Sequence, residues 1–600
     1  MSNAQNQFDP GILIRRSLFF LILIILTLGN LFTLFRGLNS PHAMDQAQIA
    51  REVARGNGFS TKVIRPLAYE QTKEHQQSAV SFIDFKDTYH SPLNPLLNAA
   101  VLKLVGGDNA EQWQMGEKEM VFPLDRVIAT VSTLCFLVSI GVSYLLVSRI
   151  FDEKIAGVTA ILMLFSQTFW DYSLSGLPQM LMLLLFSCAI YFTYRAVEDS
   201  TEGRPPFLPA IIAGVFFTLL SMTHFLAVWI ALGYIIFAAV AFRPRGIVGI
   251  SILAILIVPS IFVMMRNVGI SGTPFGAAFF NLYNGIGGGQ EDMVMRSPTP
   301  PGLLNNGFFS TILRTMLLQS SDIIPFLGGI FVAPLFFISL LHPFKRPSIA
   351  NFRWAILLMF SVSALGLAIF GISTEPLDPN QTHLLFAPVM TAYGLAFISI
   401  LWSRLPLVSS APMLRNVHHM IVIVLCALPL LLSLPSRARV GLDRKDSGGV
   451  PHWPPYYAPA LNLGLNKWLT EKQICFSDQP WAVAWYADRV SIWLPPSRTD
   501  FAALETEAQE LDTPVAGILI SPSSHGAGNV SEVSSKYKDF ASLVLDGRVF
   551  LATYPPGLSI YDKDQKIQEI TRRYPFRATL VGMDMVYYSD RALRAADTEN

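Results

Sequence analysis

The chain has 600 residues, of which 52% are hydrophobic and only 14% are charged, and its formal net charge is +1. The mean hydropathy of +0.42 excludes an ordinary water-soluble globule and places most of the chain in lipid. The near-neutral charge gives no reason to expect a nucleic-acid partner. The four cysteines predict no disulfide framework.

Apolar runs long enough to cross a membrane recur through the first 435 residues, since about 20 helical residues span the hydrocarbon core. The first run follows Arg15 and Arg16 and is not followed by a small-residue cleavage site, so it predicts a retained anchor. Eleven segments are predicted to span the membrane: 16–36, 126–149, 155–171, 178–194, 207–223, 224–241, 247–265, 321–341, 354–373, 385–402 and 416–434.

The distribution of Lys and Arg predicts the orientation, because these residues stay on the cytoplasmic side. Residues 1–15 are then a cytoplasmic tail, 16–36 the first transmembrane helix, and 37–124 an exterior loop. Residues 125–434 form a transmembrane bundle with an exterior lid loop at 266–320, and 435–600 form an exterior domain. We therefore expect a multi-pass protein of the plasma (inner) membrane with a cytoplasmic N-terminus and a periplasmic C-terminal domain.

Residues 435–600 alternate short β-rich runs with helical stretches, a pattern typical of a small α/β domain. The β-rich runs are "QICFS", "RVSIWL", "VAGILI", "RVFLATY" and "LSIYD", and "TDFAALETEAQEL" has helical spacing. No nucleotide-binding or hydrolase motif is present in this region. The fold class expected is a mainly α polytopic membrane protein with a C-terminal soluble α/β domain.

The loop after the first span begins with "PHAMDQAQIAREVARGNGFST". Ser40 and Pro41 predict a helix start, and Gly56 predicts its end. The helix is amphipathic, so we expect it to lie in the membrane interface with its alanine side against the bundle or lipid. Asp45 then sits at the exterior membrane surface.

Two other stretches place polar residues near the same surface. "DTYHSPLNPLLNAAVLKLVGG" is a proline-punctuated turn that runs into a second short amphipathic helix, and it is expected to return Asp87, Tyr89 and His90 to this surface. Asp171 lies at the predicted outer end of the third span, where a charged residue is costly and tends to mark a site. We therefore expect Asp45 and Asp171 to face one exterior cavity.

Four motifs in this order resemble the GT-C superfamily of integral membrane glycosyltransferases, in particular the bacterial branch similar to protein mannosyltransferases and to the lipid A aminoarabinose transferase. They are Asp45 followed by "ARGNGFST", the segment "YHSPLNPLLNAAVLKLVGG", Arg126 in "DRVIAT", and Arg266 with Asn267 in "MMRNVGISGTPFG". The resemblance covers about residues 16 to 435. It implies a GT-C-like fold and a cell-envelope enzyme that takes a sugar from a polyprenyl-phosphate donor and transfers it, with inversion, to an exterior lipid, glycan or protein acceptor.

The resemblance also suggests roles for individual residues. Asp45 is the candidate general base, and Asp171 is a candidate for orienting a substrate. Arg266 is the first candidate for holding the donor phosphate, since a guanidinium binds phosphate oxygens in pairs. Further candidates are, for the phosphate, His224, His383 and Lys86, and, for substrate contacts, Asp87, Tyr89 and His90.

Departures from the family pattern leave alternatives open. The family commonly has Glu beside the first-loop Asp, whereas this chain has Gln46, which argues against a two-carboxylate metal site there. No metal ligands are assigned, although a divalent ion held by a first-loop carboxylate with Asp171 or His90 stays possible. The competing functions are a transporter or flippase, and a non-catalytic scaffold of GT-C type.

Overall fold

The structure is a computed structural model. It describes residues 10–116, 119, 121–283, 285–286, 291–299, 308–372, 377–406, 408, 412–442, 458–521, 529–553, 568–579 and 585–591. Within these residues the protein is mainly helical and carries one mixed β-sheet.

Seven described helices are long and apolar enough to span a membrane, and two apolar helices are shorter. In chain order the helices through the bundle are α1 Pro10–Leu28, α2 Pro41–Ala54, α3 Pro66–Gln76, α4 Leu93–Leu104, α5 Pro123–Ile150, α6 Glu153–Leu164, α7 Gln167–Ser175, α8 Gln179–Thr201, α9 Phe207–Thr223, α10 Ala227–Ala241, α11 Ile247–Ser271, α12 Glu291–Met295, α13 Phe308–Ser321, α14 Ile323–Phe326, α15 Leu335–Ser339, α16 Pro347–Phe370, α17 Ala387–Ser403 and α18 Val417–Leu442. The predicted polytopic α-helical fold is confirmed, including the break between α9 and α10.

Two of the eleven predicted spans are not continuous helices. The segment 155–171 is divided into α6 and α7 because Ser166 caps α7, accepting a hydrogen bond from the Phe169 amide. The segment 321–341 contains only the short α14 and α15, separated by Gly328 and Gly329 with φ of +72° and +70°. The two interruptions face each other, since the Ser166 hydroxyl donates to the Gly328 carbonyl at 2.6 Å. A hydropathy average over a whole span does not detect such breaks, because apolar residues still dominate both segments.

The C-terminal region contains α19 Asn466–Trp468, α20 Pro480–Ala482, α21 Arg498–Glu510, α22 Val530–Tyr537, α23 Ala541–Thr553 and α24 Gln568–Arg573. The strands are β1 Val63–Ile64, β2 Ile474–Ser477, β3 Ser491–Trp493, β4 Val515–Ile520, β5 Phe576–Thr579 and β6 Val586–Ser589. Three predicted strands and the predicted helix are confirmed. The prediction of a strand at "RVFLATY" is wrong, because this run continues the buried face of α23. "LSIYD" lies outside the described residues.

The sheet has the strand order β1-β3-β2-β4-β6-β5. Strands β1, β3, β2 and β4 are parallel, and β6 pairs antiparallel with both β4 and β5. Strand β1 comes from the loop after the first span, whereas all other strands come from the C-terminal region. The α/β domain is therefore completed by the first loop.

The C-terminal region also covers α2. A hydrophobic cluster joins the alanines of α2, the start of α5 and the segment 481–487. The polar face of α2 is buried as well, and the side chain of Arg51 is fully enclosed. The alanine side of α2 packs against protein, as expected, and the polar side, which the amphipathic pattern alone leaves uncovered, is covered by protein as well. Ser40 precedes this helix, as predicted, but makes no side-chain capping bond.

Candidate active site

Asp45 lies on the buried surface of α2 and is only 1% exposed. Its Oδ2 forms an ion pair with the Arg65 guanidinium, and its Oδ1 accepts a hydrogen bond from Gln48 at 3.0 Å. Gln48 is fixed in turn by Thr61 and by the backbone of Lys62. The carboxylate is therefore held in one orientation by the segment that follows its own helix.

The turn before α4 brings a second carboxylate to the same place. Asp87 Oδ2 accepts the backbone amides of Tyr89 and His90 at 3.2 and 2.8 Å, and Asp87 Oδ1 lies 3.4 Å from His90 Nδ1. The other ring nitrogen of His90, Nε2, lies 3.6 Å from Asp45 Oδ2. Burial raises the pKa of Asp87, but His90 and Arg65 lower it by more, to about 2. The histidine thus lies between two carboxylates.

Arg266, near the end of α11, reaches this group of residues. Its guanidinium donates to the Phe59 carbonyl at 3.1 Å and to the Asn267 side chain at 3.2 Å, and it feels the charge of Asp87. The amide of Asp87 donates to the same Phe59 carbonyl at 3.2 Å. The Phe59 carbonyl of "GNGFST" therefore joins two segments that are far apart in sequence. One is the turn that begins at Asp87, and the other is the Arg266–Asn267 pair at the end of α11.

The remaining phosphate candidates differ in their surroundings. Lys86 is exposed, and its Nζ donates to the Asn57 carbonyl at 3.2 Å. His224 is buried at the break between α9 and α10 and lies within electrostatic reach of His42 and His90. His383 is fully buried and stacks on Phe360 with ring centroids 4.3 Å apart.

Asp171 on α7 is half-buried and pairs with Arg437 of α18 at 3.0 Å. In the described part of the chain, Asp171 and Asp45 share no hydrogen bond or ion pair. The structure thus gives Asp171 a partner of its own rather than placing it beside the first-loop carboxylates.

Arg65 is the residue that sequence reasoning missed. It pairs with Asp45, its guanidinium carbon lies 4.1 Å from the Tyr89 ring centroid, and its side chain is buried. Burial lowers the pKa of Arg65, but Asp45 raises it by more, above the usual value. The signal in the sequence is weak: an arginine that precedes Pro66 and ends an apolar pair, "VI", that becomes β1.

Within the described residues, no group of three or more His, Cys, Asp or Glu side chains is arranged to hold a metal ion. Gln46 accepts a hydrogen bond from Asn94 at 2.7 Å, which links α2 to α4. Both oxygens of Asp45 are engaged by Arg65 and Gln48, so the donor set around Asp45 fits a cation binder poorly.

The family model described as dolichyl-phosphate-mannose-protein mannosyltransferase matches residues 122–265. The resemblance to the GT-C glycosyltransferases is confirmed. By its description the matched family consists of glycosyltransferases, so the prediction of a membrane glycosyltransferase is also confirmed. No curated protein matches the chain.

Among solved structures, one similar structure is ArnT from Cupriavidus metallidurans bound to undecaprenyl phosphate: 15% identity, 85% of this chain and 94% of that chain covered, TM-score 0.46. The oligosaccharyltransferase of Archaeoglobus fulgidus, in complex with Zn and sulfate, gives 15% identity, coverage of 86% and 69%, and a TM-score of 0.47. A third similar structure is the archaeal oligosaccharyltransferase AglB of the same organism, in complex with an inhibitory peptide and a dolichol-phosphate. Its sequence identity is 13%, 88% of this chain and 72% of that chain are covered, and the TM-score is 0.47.

Proposed function

We propose that this chain transfers a sugar from a polyprenyl-phosphate donor to an acceptor at the exterior face of the plasma membrane, with inversion at the anomeric carbon. The observation that carries the proposal is the buried group formed by Asp45, Arg65, Asp87, His90 and Arg266. The description of the matched family names a sugar donor carried on a lipid phosphate, which supports a polyprenyl-phosphate donor for this chain. The Lys and Arg distribution in the loops supports the exterior side.

The group contains the two kinds of residue that glycosyl transfer needs. Asp45 serves as the general base for the acceptor hydroxyl, and its burial keeps it away from bulk water. Arg266 faces the negative charge that develops on the departing phosphate, with His224, His383 and Lys86 as further donors. Asp87, Tyr89 and His90 shape the acceptor side, and the ion pair of Asp171 with Arg437 holds α7 against α18.

The first test replaces Asp45 with Asn. The amide keeps one oxygen that can still accept from Arg65, but it cannot act as a base, so transfer from a labelled polyprenyl-phosphate sugar should fall by about 10²- to 10⁴-fold. Asp84→Asn is the matched control, since Asp84 is an exposed acid of the same loop. A folded Asp45→Asn protein that transfers at the wild-type rate would show that the base lies elsewhere. A wild-type protein that transfers no sugar from any lipid-linked donor would overturn the proposed function itself.

A further inference from the structure

The first-loop carboxylates and His90 form a line. Asp87 Oδ1 lies 3.4 Å from His90 Nδ1, and His90 Nε2 lies 3.6 Å from Asp45 Oδ2. The imidazole is nearly sealed from water, with a side chain only 4% exposed. Its Nε2 is buried and has no hydrogen-bond partner within the described part of the chain.

The geometry selects one tautomer of His90. Asp87 Oδ2 is occupied by two backbone amides, and Oδ1 faces Nδ1. An ionised carboxylate only accepts hydrogen bonds, so the ring proton is on Nδ1, and Nδ1–H donates a hydrogen bond to Asp87. Nε2 then presents a lone pair to Asp45 Oδ2. Two acceptors at this distance gain a hydrogen bond only when a proton arrives between them.

We propose, on the basis of the proposed function, that His90 is a catalytic proton relay that accepts from Asp45 the proton removed from the acceptor. In the transfer step the acceptor oxygen bonds to the anomeric carbon while the carbon–oxygen bond to phosphate breaks. The phosphate leaves with the electron pair. The acceptor's proton passes to Asp45 and then to His90 Nε2, and Asp87 stabilises the resulting imidazolium.

The relay explains why Asp45 can act as a base although it is paired with Arg65. Arg65 already occupies Asp45 Oδ2, whereas the neighbouring Nε2 of His90 is a buried ring nitrogen with no hydrogen-bond partner in the described residues. The charged and titratable groups around His90 are Asp45, Asp87, Arg65, Tyr89 and His224, with His42 next to His224 and Arg266 next to Asp87.

His90→Asn tests the relay, because the shorter amide still reaches toward Asp87 but leaves nothing at the position of Nε2. We expect kcat to fall by about 10²-fold, the lower end of a general-base contribution, with KM for the lipid donor unchanged. His75→Asn, at an exposed histidine of the same loop, is the matched control.

Asp87→Asn is the second variant. Its oxygen still accepts the two backbone amides, but its nitrogen now donates to His90 Nδ1, which moves the ring proton to Nε2 and blocks acceptance from Asp45. We expect the same loss of kcat. Wild-type kcat in both variants would overturn the relay, and so would a raised donor KM at constant kcat.

The ring tautomer gives a readout that does not need turnover. Nitrogen NMR of the ¹⁵N-histidine-labelled full-length protein should assign the proton to Nδ1 in the wild type and to Nε2 in Asp87→Asn, with His90→Asn identifying the signal. A wild-type ring that carries its proton at Nε2 would refute the relay even if transfer is found. A protein that shows the expected tautomer but transfers no sugar would instead refute the proposed function.

Discussion

At the scale of single residues, the site is a set of buried charges that compensate one another. Asp45 and Asp87 carry two negative charges, and Arg65 and Arg266 carry two positive ones, all close to His90. Removing one partner from such a set leaves an uncompensated buried charge, which is strongly destabilising. For that reason Asp45 and Asp87 are replaced by the amide of the same shape, and Arg266 is replaced by Lys as well as by Ala.

Arg266 gives a prediction at this scale. Arg266→Ala should lower kcat/KM for the lipid donor by about 10²-fold, since one preorganised donor to a developing anion is removed. Arg266→Lys should lose less, because it keeps the charge but not the paired hydrogen bonds. Steady-state kinetics with a labelled donor measure both effects. Arg314→Ala, at an exposed arginine on α13, is the control. Wild-type kinetics for Arg266→Ala would show that Arg266 has only a structural role, through its hydrogen bond to the Phe59 carbonyl.

At the scale of secondary structure elements, α2 is the central piece. Arg51 donates to the carbonyls of Trp485 and Ala484 at 2.7 and 2.6 Å and to Asp488 at 2.8 Å. Asp488 is also bound by Arg55 and Lys62. The C-terminal region therefore clamps α2 at Arg51, six residues after Asp45.

Asp488→Asn should weaken this clamp. The change leaves three neighbouring cations with Glu52 as their remaining nearby carboxylate, so the melting temperature of the purified protein should fall. Glu510→Gln, at an exposed acid of α21, should leave the melting temperature unchanged. Equal melting temperatures for the two variants would mean that the clamp contributes no stability.

At the scale of the whole molecule, the first loop and the C-terminal region form one structure above the start of α5. β1 completes the sheet, and Asp125 of α5 accepts hydrogen bonds from Trp485 and Tyr486 at 2.7 and 2.9 Å. The first loop, the sheet and the start of α5 are therefore joined by direct hydrogen bonds at this junction.

This junction predicts acid sensitivity. Burial raises the pKa values of Glu52 and Asp488, but the surrounding Lys62 and Arg51 lower them by more, and the pKa of Asp87 is lowered to about 2. The ordinary values are 4.5 for Glu and 3.8 for Asp. Since the folded pKa values are the lower ones, the stability from these groups is complete above both ordinary values and is lost as the pH falls below them.

Thermal melting followed by tryptophan fluorescence between pH 6 and about pH 3 measures this loss, because Trp485 is buried in the junction. The melting temperature should fall toward the acid end, and it should fall less in Asp488→Asn, which lacks one of the titrating carboxylates. A melting temperature that is constant down to pH 3 would contradict the assignment of these ion pairs to stability.

The sequence by itself determined the membrane-spanning character, the positions of most spans, the strands β2, β3 and β4 of the C-terminal region, and the motifs around Asp45, His90 and Arg266. These features are local: apolar runs, turn residues and short spacings record them directly. Only the tertiary structure decided that α2 is buried on both faces, that Arg65 is the partner of Asp45, and that β1 joins the sheet of the C-terminal region. The physical reason is separation along the chain, since Arg51 and the Trp485 carbonyl are 434 residues apart and no local periodicity encodes their contact.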